Sequence, residues 1–217
     1  MSSPPPARRT PGASRYGWFV GVVIVLLLAY ISINTLRNRS TQRSTGPLVG
    51  HKLAPFAAPD ALGPLNGDAN VATRKTAGTQ AGKRYACDVR GPGIVNVCQL
   101  AERGPVVLAF LAARGGRCVS ELDDIERLRH SYPRIEFAAV AIKGDRDDLR
   151  KTIRSHGWGF PVAYDRDGVL ANIYHVAVCP QITLADRGGR VRRTLIGSGE
   201  TDTAHLRQAL DSLAGRR

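Results

Sequence analysis

Cysteine is scarce in this sequence. The chain of 217 residues contains four Cys, too few for the dense disulfide scaffold of a small secreted protein. Wholesale disorder is excluded as well, because 43% of the residues are apolar and 23% are charged, and disordered chains are poorer in apolar residues. We therefore expect one sizeable globular domain with an appendage.

Acidic residues are missing from the first 52 positions, which hold seven Lys or Arg. The other 165 residues carry 24 basic and 18 acidic side chains, so much of the net charge of +13 lies beside one segment. The short basic run RVRR at 190–193 lacks aromatic stacking residues and any groove-reading motif, so we predict no nucleic-acid partner. It suits solubility or proximity to anionic lipid. The five His share no metal-ligand spacing with each other or with the Cys, so we predict neither a metal nor a cofactor.

One long hydrophobic segment lies near the N-terminus. It begins at Gly17 and ends at Leu36, and its twenty residues, GWFVGVVIVLLLAYISINTL, include no charged side chain. At about 1.5 Å per residue it matches a hydrocarbon core of about 30 Å. We predict a single transmembrane helix over 17–36, after a disordered cytoplasmic tail at 1–16 and before a linker at 37–52. A cleaved signal peptide is the alternative, although no Ala-x-Ala site follows the segment.

The orientation of that helix depends on the cysteines. Three Arg precede it and three follow it, so the distribution of basic residues gives no direction. All four Cys follow it, and two of them are spaced for a structural disulfide, which requires an oxidising compartment. We predict a single-pass protein of the cell membrane, with the N-terminus inside and the C-terminal domain extracytoplasmic.

The first two cysteines flank a Gly/Pro turn. The segments RYACDV and GIVNVCQL, on either side of residues 90–93, alternate β-branched and polar residues in the manner of a hairpin. We predict a hairpin extension with Cys87 on one arm and Cys98 on the other, joined by a structural disulfide. The preceding stretch, 54–83, is rich in Pro and Gly with little periodicity, and we expect it to be loose.

From Gly104 onward the sequence alternates between strand and helix patterns. Strands are predicted for PVVLAFLA, IEFAAVAI, FPVAY, QITLA and GGRVRRTLIG, and helices from Cys118 to about His130, from Asp145 as cap to about His156, over GVLANIYHV, and from Thr201 or Thr203 as cap to Leu213. This order predicts an α/β domain at 53–217, in which helices flank a mixed central sheet on both faces.

Three stretches of this domain resemble a known superfamily. They are GPVVLAFLAARGGRCVSEL, FPVAYDRDGVLANIYHV and CPQITLADRGGRV. Over about 48–213 the chain resembles the thioredoxin-like superfamily, specifically the membrane-anchored TlpA-type thiol-disulfide oxidoreductases and the related redoxins of the AhpC/TSA kind. The resemblance implies a thioredoxin-like fold and protein thiols or disulfides as substrates.

The active site implied by the resemblance is altered in this chain. The tetrad that matches CxxC is Gly115-Gly116-Arg117-Cys118, with Gly at the nucleophile position, so a conventional CxxC cycle is impossible. The resemblance also implies a cis-proline at Pro180, and here the residue before it is Cys179. The catalytic residues implied by the resemblance are therefore Cys118, Cys179 and Pro180. In such a fold the two Cys would face each other across the active-site groove. The alternative is a pair of buried cysteines, or a static disulfide, in a non-catalytic binding or scaffold module.

A peroxidase is the third interpretation. CVSE at 118–121 resembles the peroxidatic Cys followed by Thr-x-Glu in peroxiredoxins. That family has Thr three residues before its Cys and Pro seven before it, where this chain has Gly115 and Leu111. The hydroxyl that would bind peroxide is therefore missing, although Arg114 and Arg117 are placed to stabilise a thiolate by proximity.

Other polar and aromatic residues near the site are given ordinary roles. Asp123, Asp124 and Glu126 are expected to form a solvated acidic face near the start of their helix. Trp158 and Phe160 are expected in the core or in the wall of the groove.

Overall fold

The computed structural model describes residues 15–41, 46–112 and 116–215. The chain divides into two compact units, Met1–Arg43 and Ser44–Arg217. In the first, helix α1 (Arg15–Thr41) has 27 residues, and its described side chains, at 17–32, are all exposed. Most of the predicted tail, 1–14, and part of the predicted linker, 42–45, lie outside the described residues.

Helix α1 covers the predicted membrane segment and extends beyond it at both ends. Across all residues that the structure describes, no helix is long and apolar enough to cross a membrane. The predicted helix is therefore confirmed, whereas its crossing of a membrane is not.

The second unit is built on a mixed sheet. Among the described residues this sheet has five strands in the order β5-β4-β3-β6-β7, and a separate pair joins β1 to β2. The strand bounds are β1 (Ala57–Pro59), β2 (Ile94–Asn96), β3 (Val106–Ala112), β4 (Glu136–Ile142), β5 (Val162–Asp165), β6 (Gln181–Ala185) and β7 (Val191–Ile196). Strands β3, β4 and β5 run parallel, while β6 and β7 are antiparallel to their neighbours.

Helices cover both faces of this sheet, as predicted. Their bounds are α2 (Val97–Arg103), α3 (Gly116–Arg129), α4 (Arg146–His156), α5 (Val169–Ile173) and α6 (Thr203–Leu213). Alternate residues of β3 contribute to two cores, because successive side chains of a strand point to opposite faces. Val107 and Leu111 join the core under α3, α4 and α6, whereas Leu108 and Phe110 join the core under α2 and α5.

Two of these helices have an Asp side chain as their N-cap. The Asp145 side chain accepts hydrogen bonds from the backbone N–H of Asp147 and Asp148 and caps α4, as predicted. For α6 the prediction of Thr201 or Thr203 is wrong, because Asp202 is the cap. Asp is a strong N-cap acceptor, and Thr201 is fully buried with its hydroxyl turned to the interior.

The predicted hairpin around residues 90–93 is wrong. Cys87 lies in a short 3-10 helix (Ala86–Asp88), Cys98 lies in α2, and the strand between them, β2, pairs with β1. The reason is Asn96, whose side chain accepts from the N–H of Cys98 and Gln99 and starts a helix where the alternation predicted a strand. The segment predicted to be loose, 54–83, thereby supplies a strand.

Candidate active site

Cys118 and Cys179 are joined by a disulfide, although they lie 61 residues apart in sequence. Their Cα atoms are 5.7 Å apart, within the usual range for such a bond. The sheet brings them together: β3 leads towards the start of α3, and β6 begins at Gln181, directly opposite Phe110 near the end of β3. The first turn of α3 and the loop before β6 therefore meet at one edge of the sheet.

The loop that carries Cys179 has the geometry implied by the resemblance. The bond between Cys179 and Pro180 is cis. The Cys179 Sγ accepts a hydrogen bond from the backbone N–H of Ala112 at 3.4 Å and lies 3.5 Å from the carbonyl oxygen of Phe110. A disulfide sulfur has no proton to donate to that carbonyl, but a reduced thiol would have one. The backbone therefore offers a hydrogen-bond donor to a Cys179 thiolate and an acceptor to a Cys179 thiol.

The two cysteines differ in exposure to solvent. Cys118 is 5% exposed and belongs to the core under α3, α4 and α6. Cys179 is only partly buried and packs at the margin of that core. An attacking thiolate from solvent therefore reaches Cys179 more readily than Cys118.

A buried carboxylate lies one helical turn from the disulfide. Glu121 is 8% exposed and stands at i+3 from Cys118, on the same side of α3. Its Oε1 lies 2.9 Å from the hydroxyl of Thr201, which is also 3.0 Å from the Gly197 carbonyl, so the single hydroxyl proton serves one acceptor or the other. This contact links α3 to the segment before α6, and the sequence patterns alone did not predict it.

The prediction of a solvated acidic face on α3 is wrong. Asp123 accepts a hydrogen bond from Trp158 Nε1 at 2.8 Å and lies 3.0 Å from His156 Nδ1. Glu126 accepts from the backbone N–H of Gly159 at 2.8 Å. These hydrogen bonds connect the loop after α4 to α3.

The third acidic residue of α3 and the two aromatic residues also make defined contacts. Asp124 accepts a hydrogen bond from the Thr203 hydroxyl at 2.7 Å. Trp158 and Phe160 are 4% and 5% exposed, and their rings stack with centroids 5.9 Å apart. Their expected place in the core is confirmed.

Three residues named in the sequence analysis lie where no side chain is described. Arg114 and Gly115 fall outside the described residues, and for Arg117 only the backbone of α3 is described. Their effects on a thiolate stay predictions. Within the described parts of the chain, no three His, Cys, Asp or Glu side chains are grouped to hold a metal ion.

The fold and the cysteine pair define a class of protein. A mixed sheet with helices on both faces, a Cys at the start of the helix after β3 and a cis-proline loop beside it are features of a thioredoxin-like redox protein, although here the partner of that Cys lies on the loop and not in a CxxC motif. The family model named AhpC/TSA family matches residues 87–195. The chain belongs to this family.

Solved structures agree with that fold. A proposed thiol:disulfide interchange protein DsbE from Chlorobium tepidum has a TM-score of 0.59 and 21% identity, covering 77% of this chain and 99% of its own. Peroxidoxin BcpB from Mycobacterium tuberculosis has a TM-score of 0.57 and 19% identity, covering 78% and 97%. A proposed protein disulfide isomerase from Bacteroides thetaiotaomicron has a TM-score of 0.56 and 17% identity, covering 80% and 96%. None of the curated proteins matches the sequence significantly.

Proposed function

We propose that the protein is a thiol-disulfide oxidoreductase that uses Cys118 and Cys179 as its redox pair. The observation that carries this proposal is the bond between them, with one cysteine buried at the start of α3 and the other partly exposed. A buried thiol beside an accessible one suits exchange, because one sulfur meets the substrate and the other resolves the mixed disulfide.

The exchange proceeds in two balanced steps. A substrate thiolate attacks the Cys179 Sγ, a mixed disulfide forms, and the Cys118 sulfur leaves as a thiolate. The second substrate thiol, after losing its proton, attacks the mixed disulfide and releases the Cys179 thiolate. Two electrons and two protons have then passed from the substrate dithiol to the protein, and the same steps in reverse reduce a substrate disulfide.

Each released thiolate has local stabilisation. Cys118 is the third residue of α3, where the helix dipole favours a negative charge by about 0.3–1 kcal/mol. The Cys179 sulfur lies within reach of the Ala112 N–H, and such a donor favours a thiolate over a thiol. Neither form of stabilisation involves Gly115, which occupies the position of the usual nucleophilic cysteine.

The substrates we propose are protein thiols or disulfides. Cys179 lies at the margin of the core rather than inside an enclosed cavity, so a chain segment can approach it directly. Peroxidase activity is less well supported, because peroxide would have to reach Cys118, which is 5% exposed and already bonded to Cys179.

Turnover with a protein disulfide tests this proposal. The full chain should catalyse reduction of insulin by a dithiol, and the double variant Cys118→Ser, Cys179→Ser should not. The control variant is Tyr132→Phe, which removes a 2.8 Å hydrogen bond to Asp211 at the other end of α3 and lowers stability without touching the pair. Equal turnover by the wild-type protein and the double variant would favour the non-catalytic binding module instead.

We further propose that the domain lies outside the cell membrane, with α1 as a single-pass anchor of the TlpA type. Support comes from the uncharged segment at 17–36 and from the exposed apolar side chains of α1, of which Trp18 and Phe19 are 70% and 63% exposed. Two disulfides in the domain also suit an oxidising compartment. Reporter fusions after Arg43 and after Arg217 should both report an external location, and a cytoplasmic signal from either would refute the orientation.

A further inference from the structure

The second disulfide, Cys87–Cys98, lies on the other side of the sheet from the first. Cys98 packs against the core under α2 and α5, whereas Cys118 belongs to the core under α3, α4 and α6 and Cys179 packs against that core. The two pairs are therefore separated by the sheet, and chemistry at one does not pass directly to the other.

This second disulfide is accessible. Cys87 and Cys98 are both partly exposed, and both line a cavity of about 360 Å³. Lys52, Tyr85 and Glu102 form part of its wall. The pair therefore lies at the surface of the domain, beside a cavity open to small molecules.

Hydrogen bonds of one buried side chain hold the same two segments together without the disulfide. Asn96 is 2% exposed, and its amide nitrogen donates to the carbonyls of Ala86 at 2.9 Å and Val89 at 2.8 Å. Its oxygen accepts from the backbone N–H of Cys98 at 2.9 Å. Asn96 therefore forms hydrogen bonds both to residues near Cys87 and to the start of α2.

A second tie runs through Arg90. Its Nε donates to the carbonyl of Cys87 at 2.9 Å, and its guanidinium nitrogens pair with both carboxylate oxygens of Glu102 at 2.7 and 2.5 Å. Because Glu102 belongs to α2, Arg90 links the segment of Cys87 to that helix, as Asn96 does. After reduction these contacts keep the two Cys near their present Cα separation of 5.4 Å, and two thiols held in place re-form a disulfide readily.

We propose that Cys87–Cys98 is a second exchange-competent disulfide, reduced by a dithiol that enters this cavity. One thiolate of the dithiol attacks a sulfur of the pair and releases the other as a thiolate. The second thiol of the reductant then breaks the mixed disulfide, so the reductant leaves as a disulfide and the protein keeps two electrons and two protons as two thiols. This site is independent of the oxidoreductase activity proposed above.

Equilibration in graded mixtures of reduced and oxidised dithiothreitol tests the proposal on the full chain. After acid quenching, differential alkylation and peptide mapping report each pair separately, while far-UV circular dichroism reports the fold. The Cys87–Cys98 pair should be reduced while the fold is retained and should re-form on transfer to oxidised dithiothreitol. Its midpoint should agree within about twofold between the wild-type protein and the Cys118→Ser, Cys179→Ser variant, because the two pairs share no partners.

Two further variants test the non-covalent ties. Asn96→Ala, and more mildly Glu102→Gln, should slow re-formation of the bond, because the reduced cysteines are held less closely. The proposal is overturned if the wild-type pair stays oxidised until the circular dichroism signal is lost, a result that stands even if the double variant does not fold. It is also overturned if the pair is reduced only when Cys118 and Cys179 are present. A failure of the proposed activity would instead appear as absent insulin turnover, which this titration does not measure.

Discussion

Single alanine replacements at the redox pair should separate the roles of its two cysteines. Cys118→Ala leaves the partly exposed Cys179, and Cys179→Ala leaves Cys118, which is 5% exposed. Both variants lose the same disulfide, so each is the control for the stability of the other. We expect Cys179 to react with a soluble disulfide and to trap a mixed disulfide with substrate, whereas Cys118 does so slowly.

The shared loss of stability follows from the chain closed by the bond. With a sequence separation of 61 residues, the chain-entropy relation gives about 4 kcal/mol for either variant. The difference in reaction rate has another origin, because a buried sulfur reacts only after local opening. If opening requires about 1.4 kcal/mol or more, Cys118 reacts at least about tenfold more slowly than Cys179.

Two measurements check these values. Urea unfolding followed by circular dichroism gives the loss of stability, and the colour released from 5,5′-dithiobis(2-nitrobenzoate) gives the rate at the remaining thiol. The second disulfide, if oxidised beforehand, gives no signal in the latter. Equal rates, or faster reaction of Cys118, would refute the assignment based on exposure. If neither replacement affects any exchange reaction, the oxidoreductase proposal itself should be abandoned.

Three further outcomes are expected. Cys87→Ser with Cys98→Ser should lower the free energy of unfolding in urea by about 3 kcal/mol, because this disulfide closes a loop of 11 residues; no change would contradict the pairing. Burial raises the pKa of the Asp165 carboxyl, so the folded state holds its proton more tightly and stability should fall as pH rises from about 4 through the raised pKa; urea midpoints of Asp165→Asn should lack this fall. Arg146 donates to four backbone carbonyls within residues 60–65, so Arg146→Ala should cost about 1–3 kcal/mol in urea unfolding, and a loss no greater than that of Arg146→Lys would contradict this role.

Local patterns in the sequence determined most of the α/β domain. The strands β3 and β4 are continuous apolar segments, buried at nearly every position, and such segments are typical of parallel strands covered on both faces. Asp145 caps α4 as predicted, since N-capping depends only on the next three residues. The resemblance in three stretches also gave the family, to which the chain belongs.

The same kind of local reasoning failed around the second disulfide. Alternation in GIVNVCQL predicted one long strand, yet Asn96 ends β2 and caps α2. Its amide also bonds to the carbonyls of Ala86 and Val89, which belong to a segment that folds against it. Strand β2 also pairs with β1 (Ala57–Pro59), a segment that lies far outside any short window around GIVNVCQL.

The order of residues alone shows that the CxxC nucleophile is missing and that Cys179 precedes Pro180. The difference between the two cysteines appears only in the folded domain, where Cys118 is buried and Cys179 lies partly exposed beside the Ala112 N–H. It also showed that carboxylates expected in solvent, such as Asp123, instead hold a loop against α3. The physical reason is that burial and hydrogen bonding depend on which elements the sheet brings together, and those elements are distant in sequence.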